Sequence, residues 1–322
     1  MKRIIITGAS GFVGNNLARR LLREGHEVHL LLRQGYKSWR LNDILDNVKV
    51  HIADLQDKET LTRVIHSICP HWIFHLAAYG AYSSQNDLIW MVHTNILGTI
   101  NLVEACLKTE FEAFVNTGSS SEYGFRDHAP HETEWLEPNS HYAITKASAT
   151  LYCRHTAQKN RVPITTLRLY SVYGPYEEPT RLMPTLICEG LNKKLPPLVN
   201  PDVARDYVHV DDVCEAYLLA TSAPGQEPGA VYNVGTGVQT TIREVVEVAR
   251  RVLNISAIPK WGSMKDRIWD TNIWIADNRS IKNNLGWHPK YNFEAGFRKM
   301  VAWLHENPSI LKWYCTHNKG LK

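Results

Sequence analysis

The first half of the chain alternates between two hydrophobic periods. Short apolar runs at Arg3–Thr7, Glu27–Leu32, Val48–Ile52, Trp72–Leu76 and Ala113–Asn116 read as buried strands. Between them, Asn15–Glu24, Lys58–Ser67, Thr94–Lys108 and Ser140–Lys159 carry apolar residues at helical spacing. A sixth strand, Pro163–Tyr170, follows the last helix. This alternation predicts right-handed crossovers and an α/β fold on a doubly wound, Rossmann-type parallel sheet. Past Tyr173-Gly174-Pro175 the rhythm breaks, with prolines at 175, 179, 184, 196, 197 and 201. A smaller, interleaved C-terminal lobe is expected there. The chain therefore divides as 1–172 and 173–322, with 206–224 packing back onto the first part.

The first strand runs into Thr7-Gly8-Ala9-Ser10-Gly11-Phe12-Val13-Gly14, where a helix begins. Gly8 permits a tight turn, Gly11 lets backbone approach a pyrophosphate, and Gly14 lets the helix pack close to the sheet. The helix N-terminus then offers unpaired N–H groups to phosphate oxygens. These features make 1–172 a candidate NAD(P)-binding domain, with Ser10, Phe12 and Val13 on the same turn. The glycine spacing differs from the usual Gly-x-Gly-x-x-Gly. Position after an apolar strand and before an amphipathic helix supplies the context the motif needs.

An acidic residue at the end of the second strand usually accepts from the ribose 2′-hydroxyl of NAD, whereas arginine suits a 2′-phosphate. Here Arg33 holds that place, with Lys37 and Arg40 nearby. NADP(H) is the favoured cofactor and NAD(H) the alternative. Asp54 and Leu55, after the third strand, are placed to flank the adenine.

Tyr142 and Lys146 lie about one helical turn apart, so phenol and ammonium share a face. A phenol ordinarily ionises near about pH 10, and a nearby ammonium favours its ionised form. On that basis Tyr142 is expected to work as an acid or base near neutrality. The fifth strand ends in Thr117-Gly118-Ser119-Ser120-Ser121-Glu122-Tyr123-Gly124, which brings a serine hydroxyl to the sheet edge where such folds bind ligands.

These segments, with several others in order, resemble the extended short-chain dehydrogenase/reductase family over essentially the whole chain. The others are His75-Leu76-Ala77-Ala78, Thr94-Asn95, Gly98-Thr99 and Val172-Tyr173-Gly174-Pro175. Further along come Arg205-Asp206-Tyr207-Val208-His209-Val210-Asp211-Asp212, Asn233-Val234-Gly235-Thr236-Gly237 and Leu285-Gly286-Trp287-His288-Pro289. Each is weak alone; the ordered set is specific. The chain looks like the branch holding UDP-galactose 4-epimerase, nucleotide-sugar 4,6-dehydratases and 4-keto-sugar reductases. The resemblance implies Tyr142 as the proton-transferring residue, Lys146 as its partner on the nicotinamide ribose, and Ser119 on the sugar oxygen. Leu76, Ala77, Ala78, Asn95, Thr117 and Tyr170 join the cofactor contacts. Tyr79, Tyr82, Ser120, Ser171, Arg205, Arg267 and Asp270 join the substrate contacts, with the two arginines on a diphosphate. It also implies a homodimer formed by Thr94–Lys108 and Ser140–Lys159. Two departures stand out. Ser120 and Ser121 replace the acidic pair of the dehydratases, with Glu122 one place late, and Ser171 replaces a substrate-contacting asparagine.

Bulk properties narrow the rest. A net charge of +4 over 322 residues gives no basis for nucleic-acid binding. No run approaches the roughly 18 apolar residues that cross a bilayer. Six scattered cysteines suit a reducing cytoplasm. Fifteen histidines include no helical pair with an acidic partner, so no metal is expected. The reading is hydride exchange at a carbon, C4, of a nucleotide-diphosphate sugar. Arg33 tilts it toward a 4-keto-sugar reductase over a 4-epimerase. A 4,6-dehydratase ranks below these, and a non-catalytic NADP-binding sensor lower still, because Ser119, Tyr142 and Lys146 are all kept.

Overall fold

A computed structural model describes residues 1–82, 84–222, 227–264 and 271–318. The chain opens β1 (Arg3–Thr7), α1 (Phe12–Arg23), β2 (Glu27–Leu32), β3 (Lys49–Ile52), α2 (Lys58–Ile68) and β4 (Trp72–His75). There follow α3 (Leu88–Met91), a π-helical stretch at Val92–Leu97, α4 (Gly98–Cys106), β5 (Ala113–Ser119), α5 (His141–Asn160) and β6 (Ile164–Leu169). The second half adds β7 (Ser171–Tyr173), α6 (Leu182–Leu191), β8 (Ala204–Arg205), β9 (Tyr207–His209), α7 (Val210–Ser222) and β10 (Val231–Val234). It ends with β11 (Thr240–Thr241), α8 (Ile242–Leu253), α9 (Arg279–Leu285), α10 (Phe293–Glu306) and α11 (Pro308–His317).

Seven strands form one sheet in the order β3-β2-β1-β4-β5-β6-β10, every neighbouring pair parallel. Side chains alternate between its faces. Ile4 and Ile6 of β1 enter the core with α1 and α7, while Ile5 enters the opposite core with α2, α4 and α5. The helix read at Thr94–Lys108 begins earlier, at Leu88, and its middle, Val92–Leu97, is wound as a π-helix between α3 and α4. The seventh strand, β10, was not anticipated.

A separate core joins α6, α8, α10 and α11 through Leu186, Val245, Phe297, Met300 and Tyr314. Two small pairings, β7 with β9 and β8 with β11, lie outside the main sheet. The lobes interleave more deeply than 206–224 alone. β10 completes the large sheet, and Ile281, Leu285 and Trp287 join its core beside Val213 and Tyr217 of α7. Asp212 ties this return down: its carboxylate accepts from the backbone N–H of Lys290 and Tyr291, and its carbonyl from the Trp287 indole.

Candidate active site

The turn between β1 and α1 is a cradle that a side chain would fill. Gly8 has φ +72°, and a Cβ there would lie 2.5 Å from the Ala77 nitrogen. On Gly14 it would lie 2.5 Å from the Gly8 carbonyl oxygen. Gly11 caps α1 without any side chain on the free N–H groups, and the first turn has no acidic residue. Phe12 and Val13 turn their side chains into the core, leaving backbone to face an anion. The Leu76 N–H donates to the Thr7 carbonyl, and the Ala77 N–H to the Thr7 hydroxyl, which fixes the next strand's end beside the turn. Ala78 is exposed just beyond.

Ser119 closes β5, and Tyr142 and Lys146 stand on the first turns of α5, whose start is capped by the Ser140 hydroxyl. The Ser119 hydroxyl hydrogen-bonds the Ser121 hydroxyl at 2.7 Å and lies near enough to Tyr142 to act on its phenol, so the two candidate groups face one another. Burial nonetheless pushes the Tyr142 phenol up to about 12, against the lowering effect of Ser119 and Arg181 and with Glu122 and Tyr82 raising it further. The expected depression toward neutrality is therefore absent; desolvation outweighs the Arg181 charge. Lys146 is 2% exposed, and no hydrogen bond reaches its ammonium among the described residues. Burial lowers its pKa while Glu122 raises it. An unpaired, buried ammonium at a sheet edge fits a dinucleotide's ribose hydroxyls, as the glycine cradle fits a pyrophosphate. The Tyr170 hydroxyl is likewise buried without a partner.

Beneath these groups lies a buried ion pair. Glu122 is fully buried, and its carboxylate accepts from the Ser119 N–H at 2.8 Å, the Thr150 hydroxyl at 3.0 Å and Arg168 Nε at 2.8 Å. Arg168 also donates to the Tyr123 hydroxyl, which donates to Asn233 on β10. Glu122 is thus a strut for Ser119.

Other expected residues take different parts. Arg33 is exposed, with no hydrogen bond or ion pair among the described residues. Arg40 is not a solvent-facing phosphate ligand. It is 5% exposed and donates to the carbonyls of Tyr176 and Ser10 and to the Glu178 carboxylate, which draws it under the glycine turn. Asn95, in the π-helical stretch, spends its amide on the Tyr79 backbone and the Thr145 hydroxyl, holding the β4 loop against α5. The Thr117 hydroxyl is bound to the Tyr217 phenol. Asp54 is exposed and accepts from the Gln56 N–H, and Leu55 packs within reach of Gly98. Tyr82 is close enough to Arg40 and Arg181 to feel both charges, and burial raises its phenol.

The second lobe closes on Ser120. The Trp274 indole donates to its hydroxyl at 3.2 Å, and the Arg205 guanidinium lies 5.4 Å from the Trp274 ring centre. Arg205 also donates to its neighbour's carbonyl, that of Ala204. The Ser171 N–H donates to the Asp206 carbonyl. Arg267 and Asp270 lie outside the described residues. Trp274 and Arg181 were missed. Trp274 sits in an irregular segment without periodicity, and Arg181 precedes α6 with no motif around it. No group of three His, Cys, Asp or Glu side chains among the described residues is placed to hold a metal. Likewise, no described helix is long and apolar enough to cross a membrane.

Residues 4–235 match the NAD dependent epimerase/dehydratase family. The chain belongs to that family. It is therefore an enzyme, and the epimerase/dehydratase relatives are nucleotide-sugar enzymes. One is the Arabidopsis thaliana trifunctional UDP-glucose 4,6-dehydratase/UDP-4-keto-6-deoxy-D-glucose 3,5-epimerase/UDP-4-keto-L-rhamnose-reductase. It is 29% identical over 95% of this chain, which spans only 48% of the plant protein's length. Thermotoga maritima UDP-glucose 4-epimerase, solved with UDP-glucose, superposes with a TM-score of 0.85 at 27% identity, covering 95% of this chain and 99% of that one. Bacillus anthracis dTDP-glucose 4,6-dehydratase, solved in complex with NAD, also gives 0.85 at 27% identity, covering 98% and 100%. As an epimerase/dehydratase family member the chain has its glycine cradle and its Ser119, Tyr142 and Lys146 set at one end of one sheet.

The Glu122–Arg168 pair makes a stability prediction. Glu122→Gln strands the Arg168 charge and should cost about 3–5 kcal/mol in denaturant unfolding, the range for breaking a buried pair. A loss below about 1 kcal/mol would show that the pair is not holding the β5 end.

Proposed function

We propose that the chain is a nucleotide-diphosphate-sugar 4-epimerase working with a retained nicotinamide dinucleotide. One observation carries the choice among the family's chemistries: Glu122, the acidic residue nearest Ser119 in sequence, is consumed by Arg168, Thr150 and the Ser119 N–H. No acid is left on this turn for the elimination and re-addition of a 4,6-dehydratase. What remains suits hydride and proton exchange at one sugar carbon. The UDP-glucose held by the Thermotoga relative supports a nucleotide sugar as substrate.

A bound dinucleotide would supply the acceptor and donor for the hydride. The glycine cradle would hold its pyrophosphate, and Lys146 its ribose. Ser119 fixes the sugar oxygen and Tyr142 gives and takes that oxygen's proton. A phenol held protonated is ready to donate. To accept a proton near neutrality it needs added positive charge; Arg181 already acts on it, and Lys146 stands one helical turn away. Arg205 takes the diphosphate from the second lobe, with Tyr79, Tyr82, Ser120 and Ser171 bordering the sugar. The free thiols fit a reducing cytoplasm.

Tyr142→Phe tests the assignment on a panel of UDP- and dTDP-sugars, read by product chromatography. Turnover should fall by roughly two orders of magnitude or more with the fold intact. Near-wild-type turnover would sink it, and inertness of the wild type on every such sugar would remove the substrate class.

An NADPH-dependent 4-keto-sugar reductase is the second reading, favoured by the exposed Arg33 with Lys37 beside it. Diversion of Arg40 weakens it, and the Bacillus relative was solved with NAD. Titration of NAD(H) and NADP(H) against Arg33→Ala separates the two. A reductase should lose NADP(H) affinity roughly tenfold or more with NAD(H) unchanged. The epimerase reading expects tighter NAD(H) in the wild type and no selective loss.

A homodimer completes the reading. Ile89, Trp90 and Leu97 of the helical run from α3 to α4, with Ile144 and Leu151 of α5, are exposed apolar side chains on neighbouring helices. A second copy presenting the same face would cover them. Leu151→Glu should shift sedimentation from dimer to monomer. A monomeric wild type would refute the interface.

A further inference from the structure

Two thiols meet where the C-terminal helix crosses the second lobe. The Thr185 hydroxyl of α6 donates to the Asn318 side-chain oxygen at the end of α11, at 2.8 Å. Cys188 lies one turn after Thr185, and Cys315 one turn before Asn318. Stepping one turn from that bond on each helix, toward the C-terminus on α6 and toward the N-terminus on α11, leads to the two cysteines. The Cys188 and Cys315 thiols lie near enough to act on one another where α11 packs on α6, and neither is in a disulfide. Cys188 is 3% exposed, whereas Cys315 is open to solvent. Burial raises the Cys188 thiol's pKa, so the first reaction with any outside agent falls to Cys315.

We propose that Cys188 and Cys315 are a thiol modification site, at which a small-molecule disulfide oxidises the chain to an internal bridge pinning α11 to α6. The Cys315 thiolate attacks one sulfur of the small disulfide and expels the other as a thiol. The Cys188 sulfur, losing its proton, then attacks Cys315 and expels the second thiol. Two protein thiols become one disulfide, and the small disulfide leaves as two thiols. The other four cysteines have no such neighbour among the described residues.

The bridge acts on a meaningful contact. Next to Cys315, the fully buried Tyr314 donates its hydroxyl to the Glu177 carbonyl at 2.7 Å, and Trp313 lies 4.2 Å from Trp39 between ring centres. α11 thereby joins the loop before α6, which carries Arg181, to the loop after β2, which carries Arg33. A covalent tie at Cys315 removes the freedom of α11 to lift from both.

The test uses the full chain with Cys69→Ser, which takes away the other exposed thiol, and needs no substrate. Protein is treated with oxidised glutathione and read by intact mass and peptide mapping. The expected product has lost two hydrogens and yields one reducible peptide pair containing Cys188 and Cys315. Proteolysis between α10 and α11 should slow several-fold after oxidation. In the same background Cys188→Ser should gain one glutathione at Cys315, and Cys315→Ser should give neither product. A stable glutathione adduct on Cys315 without the internal link, or a link between two chains, would overturn the proposal. So would a bridge that leaves proteolysis unchanged, since α11 would then not be held by it.

Discussion

The candidate site depends on one buried ion pair, Glu122 with Arg168. Neither charge reaches water, so each must be met inside the protein or raise the energy of the fold by several kilocalories. The partners are distributed so that meeting them fixes geometry. Glu122 takes the Ser119 N–H at the end of β5 and the Thr150 hydroxyl on α5. Arg168 projects from β6 and reaches Tyr123, whose hydroxyl holds Asn233 on β10. Three strands and the helix bearing Tyr142 are thus indexed to one carboxylate. Ser119 meets Tyr142 because both sides of the gap are anchored to that carboxylate.

The same pair shapes the electrostatics. A negative charge below the sheet edge raises the Tyr142 phenol and opposes the fall of the Lys146 ammonium. The Tyr142 phenol is therefore held protonated at neutral pH. The Tyr142 and Lys146 spacing alone points the other way, because an ammonium one turn off lowers a phenol; burial, which no spacing reveals, is the larger effect here.

Much of the architecture was legible. Strands β1 to β6 were placed within a few residues because their apolar runs are short and bounded by turns, and all but the edge strand β3 are buried on both faces. The glycine turn was legible because only glycine tolerates the Gly8 conformation and the approach of Gly14. The Ser119, Tyr142 and Lys146 set came from motif order. Other parts left no local trace. The π-helical stretch at Val92–Leu97 has the apolar content of any helix, and its reason is the remote bond from Asn95 to Tyr79 and Thr145. β10 is four residues long and follows a helix that packs back from the second half. Arg40 reads as a loop cation until Tyr176 and Glu178, more than a hundred residues later, come round to meet it.

Arg40 shows why the cofactor loop cannot be treated as a free surface segment. Its guanidinium lies 4.1 Å from the ring centre of Trp39 and bonds the Ser10 carbonyl of the glycine turn. Trp39 in turn packs on Trp313 of α11 and near Tyr176. The loop after β2 is thereby keyed to the second lobe at its far end, while Arg33 at its near end remains unattached. Chemistry at Arg33 can vary with little effect on packing. Chemistry at Arg40 cannot, because removing it would take a partner from Glu178, release the Tyr176 and Ser10 carbonyls and loosen the glycine turn. Two arginines that look alike in the sequence are separated by what the rest of the chain brings to them. One can specify a ligand, and the other lets the two lobes share one site.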